Sequence, residues 1–504
     1  DLSNKTELTA VNGKRKPAIE VFSHALRFFK EHALQELNDQ LEDRIENEDI
    51  RWVITVPAIW KQPAKQFMRE AAYKAGISSK AFPEQLLIAL EPEAASIYIR
   101  KMKLHEIIPD ENNRLSHYRS GCRLSIGPIN VDFMHGTKYM VVDCGGGTVD
   151  ITVHELEEHL GTLKELHKAA GGEYGSVSID KAFEDLLDDI FTKEFLDEFK
   201  MKRPAGWVDL MIAFEARKRN ASPWKNNPLN VSLPFSFIDY YKKYTKNRTV
   251  EIAVKKFGDK DVTWSSQGML RFTPEGMRRL FLPTLDHIRQ EIELVLQKPS
   301  LDHVNYLFLV GGFAESPLLQ EEIRKSFKDK LRVIIPQDVG LTILKGAVLY
   351  GIDPNVVRVR RSPLTYGVGV LNKFIRGKHP EEKLIVKDEV EWCSDIFDTF
   401  TLCDQPIAVG EFVTRSYTPA KPNQKSTVIN MYCSDKQRVR YLTDEGVKKC
   451  GTLHIDMSDS TYMQLPRRRE IQITMLFGDT EIKVSALDVA TGNCVKADID
   501  FFKK

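Results

Sequence analysis

Residues 139–153 read Tyr-Met-Val-Val-Asp-Cys-Gly-Gly-Gly-Thr-Val-Asp-Ile-Thr-Val. An apolar run ends in a carboxylate, Asp143, and three glycines, Gly145, Gly146 and Gly147, reverse the chain. Thr148, Asp150 and a second alternating run through Ile151 and Val153 follow. Two β-runs about a glycine turn predict a hairpin. Glycine lets backbone N–H groups approach an anion with no Cβ in the way, and a nest of such amides favours phosphate. An adjacent aspartate suits magnesium, which keeps its waters and takes few carboxylates. The stretch reads as a clamp for a magnesium-bound nucleotide phosphate. Taken alone it is also compatible with an ordinary tight hairpin. It is not a Walker loop, because no Gly-Lys-Ser/Thr follows and the turn opens into a strand.

Two further signals share this character. Residues 306–317 carry a buried strand into Gly311-Gly312-Phe313, and Ser316-Pro317 reads as an N-cap and first helical residue. A strand, a glycine pair and a helix start form a place where a nucleotide can pass between backbone and helix N-terminus. Trp52 to Pro57 is a strand stopped by proline, and Glu91-Pro-Glu-Ala-Ala95 follows a second apolar run.

The order of these motifs resembles the actin, hexokinase and heat-shock ATPase superfamily, and in detail its heat shock protein 70 family. Phe214-Glu-Ala-Arg-Lys-Arg-Asn-Ala-Ser222 is similar to that family's adenosine helix. Leu465-Pro466, Ile471 to Phe477 and Ile482 to Gly492 resemble the close of its peptide-binding β-domain. Within the family the chain looks like the divergent twelfth subfamily. The resemblance implies an α/β, actin-like ATPase fold followed by an all-β sandwich that binds peptide.

Composition agrees with a multi-domain globular protein. The 504 residues are 42% hydrophobic, enough for two or three cores. Net charge is +1, so nothing points to a nucleic-acid surface, and the runs Lys14-Arg15-Lys16 and Arg467-Arg468-Arg469 read as solvated turns. No apolar run is long enough to insert into a membrane. Seven cysteines with no CxxC pair fit reduced thiols, hence a cytoplasmic protein with the nucleus as a second compartment. Cys144, inside the hairpin, reads as a buried hydrophobe.

Alternating strands and helices up to residue 352 predict an α/β domain over 1–352, which the resemblance implies is the nucleotide-binding domain with its first phosphate hairpin lacking. A linker over 353–363 and a β-sandwich over 364–504 follow. In the helix expected near 18–46, Val21, Leu26, Phe29, Ala33 and Leu37 are expected to share one face. A single helix is expected over 178–200. Residues 105–138 read as an insertion.

The resemblance carries roles to matching residues. Gly145, Gly146, Gly147 and Thr148 are expected at the β- and γ-phosphates of ATP or ADP. Asp143 is expected beside Mg through water, with Asp150 supporting it. Glu91 is expected to orient the attacking or a metal-bound water. Gly171, Gly172, Gly311 and Gly312 are expected to lie close to the nucleotide, and Asp338 near the base. Glu215, Lys218, Arg219 and Ser222 share one helix face that grips ribose and adenine; spacing alone would also suit surface ion pairs.

Three departures stand out. The chain reads as starting after the family's opening phosphate hairpin and its lysine, which implies poor ATP turnover by these residues alone. Glu315 stands where the family stacks an arginine on adenine, and Phe313 is the candidate substitute. The linker, Val356 to Ser362, is basic rather than leucine-rich. Arg358, Arg360 and Arg361 are expected not to dock without partners, because burying unpaired charge costs several kcal/mol. Weak coupling follows: ATP is expected to change client affinity by less than the about five- to 150-fold usual for allosteric proteins.

Ile407, Val409 and Phe412 fall where peptide-binding loops are expected, although core alternation explains them equally. The leading function is an atypical, stress-linked chaperone for peptide or protein clients, with co-chaperones or exchange factors as further partners. The alternatives are a nucleotide-gated scaffold with little ATPase activity and, third, a sugar or acyl kinase.

Glu315→Arg is expected to sharpen the preference of the site for adenine. Competition of GTP against ATP reads this; an unchanged ratio would place base recognition elsewhere.

Overall fold

The computed structural model describes residues 2–10, 13–101, 107–108, 136–157, 161–387, 389–419, 424–458 and 469–502. The predicted insertion at 105–138 lies almost wholly outside these residues, as does Leu465-Pro466.

An eight-stranded mixed sheet organises the first part of the chain. Its order is Pro406–Ala408, Val357–Arg361, Leu163–Gly172, Val149–Leu156, Lys138–Cys144, Val304–Val310, Arg332–Pro336 and Ile107–Ile108. The central strands are buried on both faces and read accordingly as continuous apolar runs. Helices Val177–Phe191, Pro204–Asn220, Pro274–Leu296 and Pro317–Phe327 bury Phe183, Phe214, Phe281 and Leu319 in the same core. A second, parallel pair, Trp52–Val56 with Leu86–Leu90, is packed by helix Gln62–Ala75. From residue 365 onward nine antiparallel strands form the all-β part, around Val368, Met431, Leu453, Ile473 and Met475.

Two helical expectations are corrected. Helix Ala18–Gln40 buries Ala18 and packs Phe22 and Leu26, whereas Val21, Phe29 and Leu37 are exposed. Positions 18, 22 and 26 follow the i, i+4 row of an α-helix; Val21 and Leu26, five apart, do not. The helix over 178–200 is two, Val177–Phe191 and Lys193–Lys202, broken at Thr192 where φ is +76°. A β-branched residue with positive φ interrupts the helical ladder. Strands Leu163–Gly172 and Lys448–Asp456, and the three-stranded sheet built on Leu229–Ser232, had no clear sequence signal.

The basic linker is docked, which overturns the expectation drawn from its arginines. Val357–Arg361 pairs parallel with Leu163–Gly172 and antiparallel with Pro406–Ala408. Arg360 is 5% exposed. Its Nε and Nη2 donate to the two carboxylate oxygens of Glu93 at 2.8 and 3.0 Å, and its Nη1 donates to the carbonyl of Gly478 at 2.7 Å. The fork geometry of guanidinium matches a carboxylate, so the buried charge meets a partner on both edges. Arg361 donates through its backbone N–H to Glu165 at 2.6 Å and through Nη1 to the carbonyl of Asp404. Around this seam Lys65 donates to the carbonyl of Thr480 at 2.8 Å, and Arg69 pairs with Glu481. Burial pulls the Lys65 ammonium down to about 8 despite the nearby Glu93.

A second basic residue is likewise enclosed. Arg469, read as part of a solvated turn, is 1% exposed and pairs with the buried Asp488 at 2.5 Å.

Breaking the Arg360–Glu93 pair from one side leaves an uncompensated buried charge. Glu93→Ala is expected to cost about 3–5 kcal/mol, and adding Arg360→Met to recover most of that loss. Urea unfolding of both variants checks this. A Glu93→Ala midpoint equal to that of the unaltered chain would mean the pair is not held as described.

Candidate functional site

The antiparallel register of Lys138–Cys144 with Val149–Leu156 sets Asp143 directly opposite Asp150. Both side chains are enclosed, at 3% and 1% exposure. Glu91 joins them from the first position of helix Glu91–Ile99, at the end of strand Leu86–Leu90. Like charges opposite one another are unfavourable on a sheet, and burial worsens them. Burial, then the charges of Glu91 and Asp150, push the Asp143 carboxyl well above its usual range. Burial, then Asp150, push Glu91 up to about 7. Burial lifts Asp150 to about 6, against hydrogen bonds from the Ile59 and Ala58 amides and the Thr148 hydroxyl. The Ile59 N–H donates to Asp150 Oδ1 at 2.8 Å, and Asp150 Oδ2 has no partner.

The glycine turn is held from behind. The carbonyls of Gly145, Gly146 and Gly147 accept from the amides of Ser176, Val177 and Gly175, at the start of helix Val177–Phe191. A Cβ on Gly146, Gly147 or Gly312 would meet nothing within 4 Å, so these glycines border open space. Gly311 differs: its φ is +90°, and a Cβ there would collide with the Asp143 carboxylate and the Cys144 carbonyl. Gly171, at φ +132°, lies opposite Asp150, and a Cβ there would strike the Val149 carbonyl. Strand packing alone therefore accounts for this glycine.

These residues fit a hydrated divalent cation. Two enclosed carboxylates and the half-buried Glu91 repel one another, and an acceptor oxygen of Asp150 lacks a donor. Among the described residues no three acidic, histidine or cysteine side chains converge tightly enough to bind a metal directly.

The helix face at 215–222 is engaged in ion pairs. Lys218, 6% exposed, reaches Asp180 at 2.8 Å and Glu215 at 2.5 Å. Arg219 pairs with Glu215 at 2.7 Å, and its Nη1 lies 3.7 Å from Glu315. Glu315 thus faces Arg219 across the gap between helix Pro204–Asn220 and the turn Gly312–Glu315. Ser222 lines a small surface pocket with Met277 and Leu318. Asp338 precedes the turn Val339–Leu341 and pairs with Lys345 at 2.7 Å.

Phe313, the candidate for the stacking role, is largely enclosed. Its ring is 6% exposed and packs in the core, 6.5 Å from the ring of Phe281. Ile407 is also a core residue, whereas Phe412 is 60% exposed. Cys144 is fully buried, as expected, and burial pushes its thiol up.

Sequence reasoning passed over Glu93 and Glu165. Glu93 lies two residues after Glu91 in the quoted motif, and the signal that could have found it is the matching arginine in the linker. Burial, then Glu93, pushes the Glu165 carboxyl up to about 8.

No family model matches the chain. Individual proteins do. The chain is 56% identical to human heat shock 70 kDa protein 12A over 99% of its length and 78% of that protein. It is 53% identical to human heat shock 70 kDa protein 12B over the same shares. A chaperone protein dnaK of Cyanidium caldarium is 24% identical over 71% of the chain and 49% of its own length.

Removing charge from the carboxylate cluster is expected to stabilise the ligand-free protein. The Asp150 carboxyl sits at about 6 in the fold against 3.8 ordinarily. Its ionised form costs the fold about 2–3 kcal/mol above pH ~6, and the cost fades as pH falls towards ~4. Asp150→Asn keeps the acceptor for Ile59, so its melting point should rise at pH 8 and stay level at pH 4. An equal shift at both would exclude an electrostatic origin.

Proposed function

The chain belongs to the heat shock 70 kDa family, in the branch of the 12A and 12B proteins, and on that premise we propose that it binds magnesium ATP or ADP at the 143–150 hairpin and peptide or protein clients through its β-part. The observation that carries this reading is the carboxylate cluster of Asp143, Asp150 and Glu91 beside a glycine turn whose outer side is open.

In this reading the amides of Gly146, Gly147 and Thr148 face the terminal phosphates, and Gly311 and Gly312 back the sugar and inner phosphate. Asp143 and Asp150 orient the waters of a magnesium ion. When bound, that ion neutralises phosphate charge, which phosphoryl transfer chiefly requires. Glu91, held near neutrality by burial and by Asp150, suits a proton acceptor for a water molecule. Lys218 is locked by Asp180 and positions Glu215 for the ribose. Arg219 and Glu315 form the base end.

The helix Glu91–Ile99 links this site to the linker. Its first residue is Glu91 and its third, Glu93, grips Arg360. A shift of that helix on nucleotide binding would loosen or tighten the linker strand, and through it the β-part. The nucleotide-gated scaffold differs only in lacking turnover. A sugar or acyl kinase is disfavoured, because the chain after residue 365 is antiparallel sheet rather than a second α/β lobe. Among the described residues no helix is long and apolar enough to cross a membrane. A cytoplasmic and nuclear location remains part of the proposal.

Gly146→Val tests the phosphate assignment. Its Cβ meets no atom in the free protein and its φ is not positive, so the fold should be retained. The bulk would occupy the phosphate side, and ATP affinity measured by calorimetry should fall about 100-fold, as for the loss of one oxyanion donor. Equal affinity in both proteins would sink the assignment.

A further inference from the structure

Six of the seven cysteines are described, and all six are free thiols. Two of them touch. Strands Ser426–Ser434 and Lys448–Asp456 pair with Tyr432 opposite Lys449 and Met431 opposite Gly451. Cys450 is therefore the extra residue of a β-bulge. Cys433 and Met431, two apart on one strand, share a face, and the bulge directs the Cys450 side chain to that same face. The two thiols are hydrogen bonded to each other, S–H to S. That contact, followed by burial, holds the Cys450 thiol far above its usual range. Both residues are half-buried rather than sealed in the core.

The remaining thiols are placed differently. Cys403 is 3% exposed and already engaged: its Sγ donates to the Pro363 carbonyl at 3.3 Å and accepts from Lys168 Nζ at 3.5 Å. Cys144 and Cys393 are buried, Cys393 being bonded to the Ser394 carbonyl, and Cys494 is exposed.

We propose that Cys433 and Cys450 are a dithiol redox site that closes to an intrachain disulfide when a low-molecular-weight disulfide, such as glutathione disulfide, is in excess. Loss of a proton from one sulfur leaves a thiolate that the neighbouring S–H stabilises. The thiolate attacks glutathione disulfide, forming a mixed disulfide and releasing one glutathione. The second protein sulfur, already in contact, then displaces the other glutathione. One S–S bond breaks and one forms. Two electrons pass to glutathione, and both protons end on glutathione sulfurs. Vicinity decides the outcome, because the second step is intramolecular and outruns hydrolysis or further addition.

The cross-link would fasten the base of the 435–447 hairpin. That hairpin reaches the end of the linker: the Lys436 carbonyl accepts from the Thr365 hydroxyl at 2.7 Å, and Gln437 donates to the Cys403 carbonyl at 3.0 Å. Tyr366, paired with Cys433 in the next strand, lies beneath. Oxidation would thus stiffen the part of the β-sheet nearest the seam.

The full chain, reduced and then incubated with glutathione disulfide, is the test. Expected by peptide mapping is the loss of alkylation at both Cys433 and Cys450 and a Cys433–Cys450 linked peptide two hydrogens lighter than its reduced parts, reversed by dithiothreitol; the exposed Cys494 takes a separate glutathione adduct. Cys433→Ser and Cys450→Ser should each instead retain one glutathione adduct on the remaining partner, whereas Cys494→Ser should still form the Cys433–Cys450 link and lose only the Cys494 adduct. The serine variants are near-isosteric, and a circular dichroism spectrum checks that they fold. A linkage through Cys403, a persistent adduct on Cys433 in the unaltered chain, or no reaction at either residue would overturn the proposal.

Discussion

Antiparallel pairing about the glycine turn forces two carboxylates, Asp143 and Asp150, into direct register within an enclosed sheet. Much of the first part of the chain is arranged around that unfavourable placement. Amides of Ile59 and Ala58 support Asp150, and Gly311 is stripped of a side chain so that Asp143 has room. The turn carbonyls are satisfied by the start of helix Val177–Phe191. The carboxylates nevertheless repel one another, and the pair carries an electrostatic cost that a bound cation would offset in the proposed function.

The placement of charge at the linker follows a different logic. Arg360 is enclosed because Glu93 presents both oxygens and Gly478 a carbonyl; geometry, not hydrophobicity, makes the burial tolerable. Arg469 with Asp488 repeats the solution inside the β-part. In both places one arginine of a basic run, Arg360 or Arg469, proves to be internal.

Those cases mark what the residue string could convey. The hairpin, the Gly311–Gly312 corner and the Glu91 helix start were legible because each is a local pattern: a strand period, a turn residue, a proline. The bracing of Lys218 by Asp180, 38 positions apart, and of Arg360 by Glu93, 267 apart, was not, because no local rule pairs residues so distant. The enclosure of Phe313 was hidden for the related reason that a ring beside two glycines looks exposed until the core around Phe281 is assembled. The face of helix Ala18–Gln40 failed on periodicity itself, since several apolar residues lie off the row that packs.

The linker strand bonds to Leu163–Gly172 on one edge and to Pro406–Ala408 on the other, so one hydrogen-bonded sheet runs unbroken from the first part of the chain into the second. Such a joint is mechanically anisotropic. Tension along the strand axis loads all its bonds together, in shear, whereas tension across it opens them one at a time, as a zipper. A force applied to the β-part would be resisted or would open the joint according to its direction, a dependence that a flexible tether cannot have.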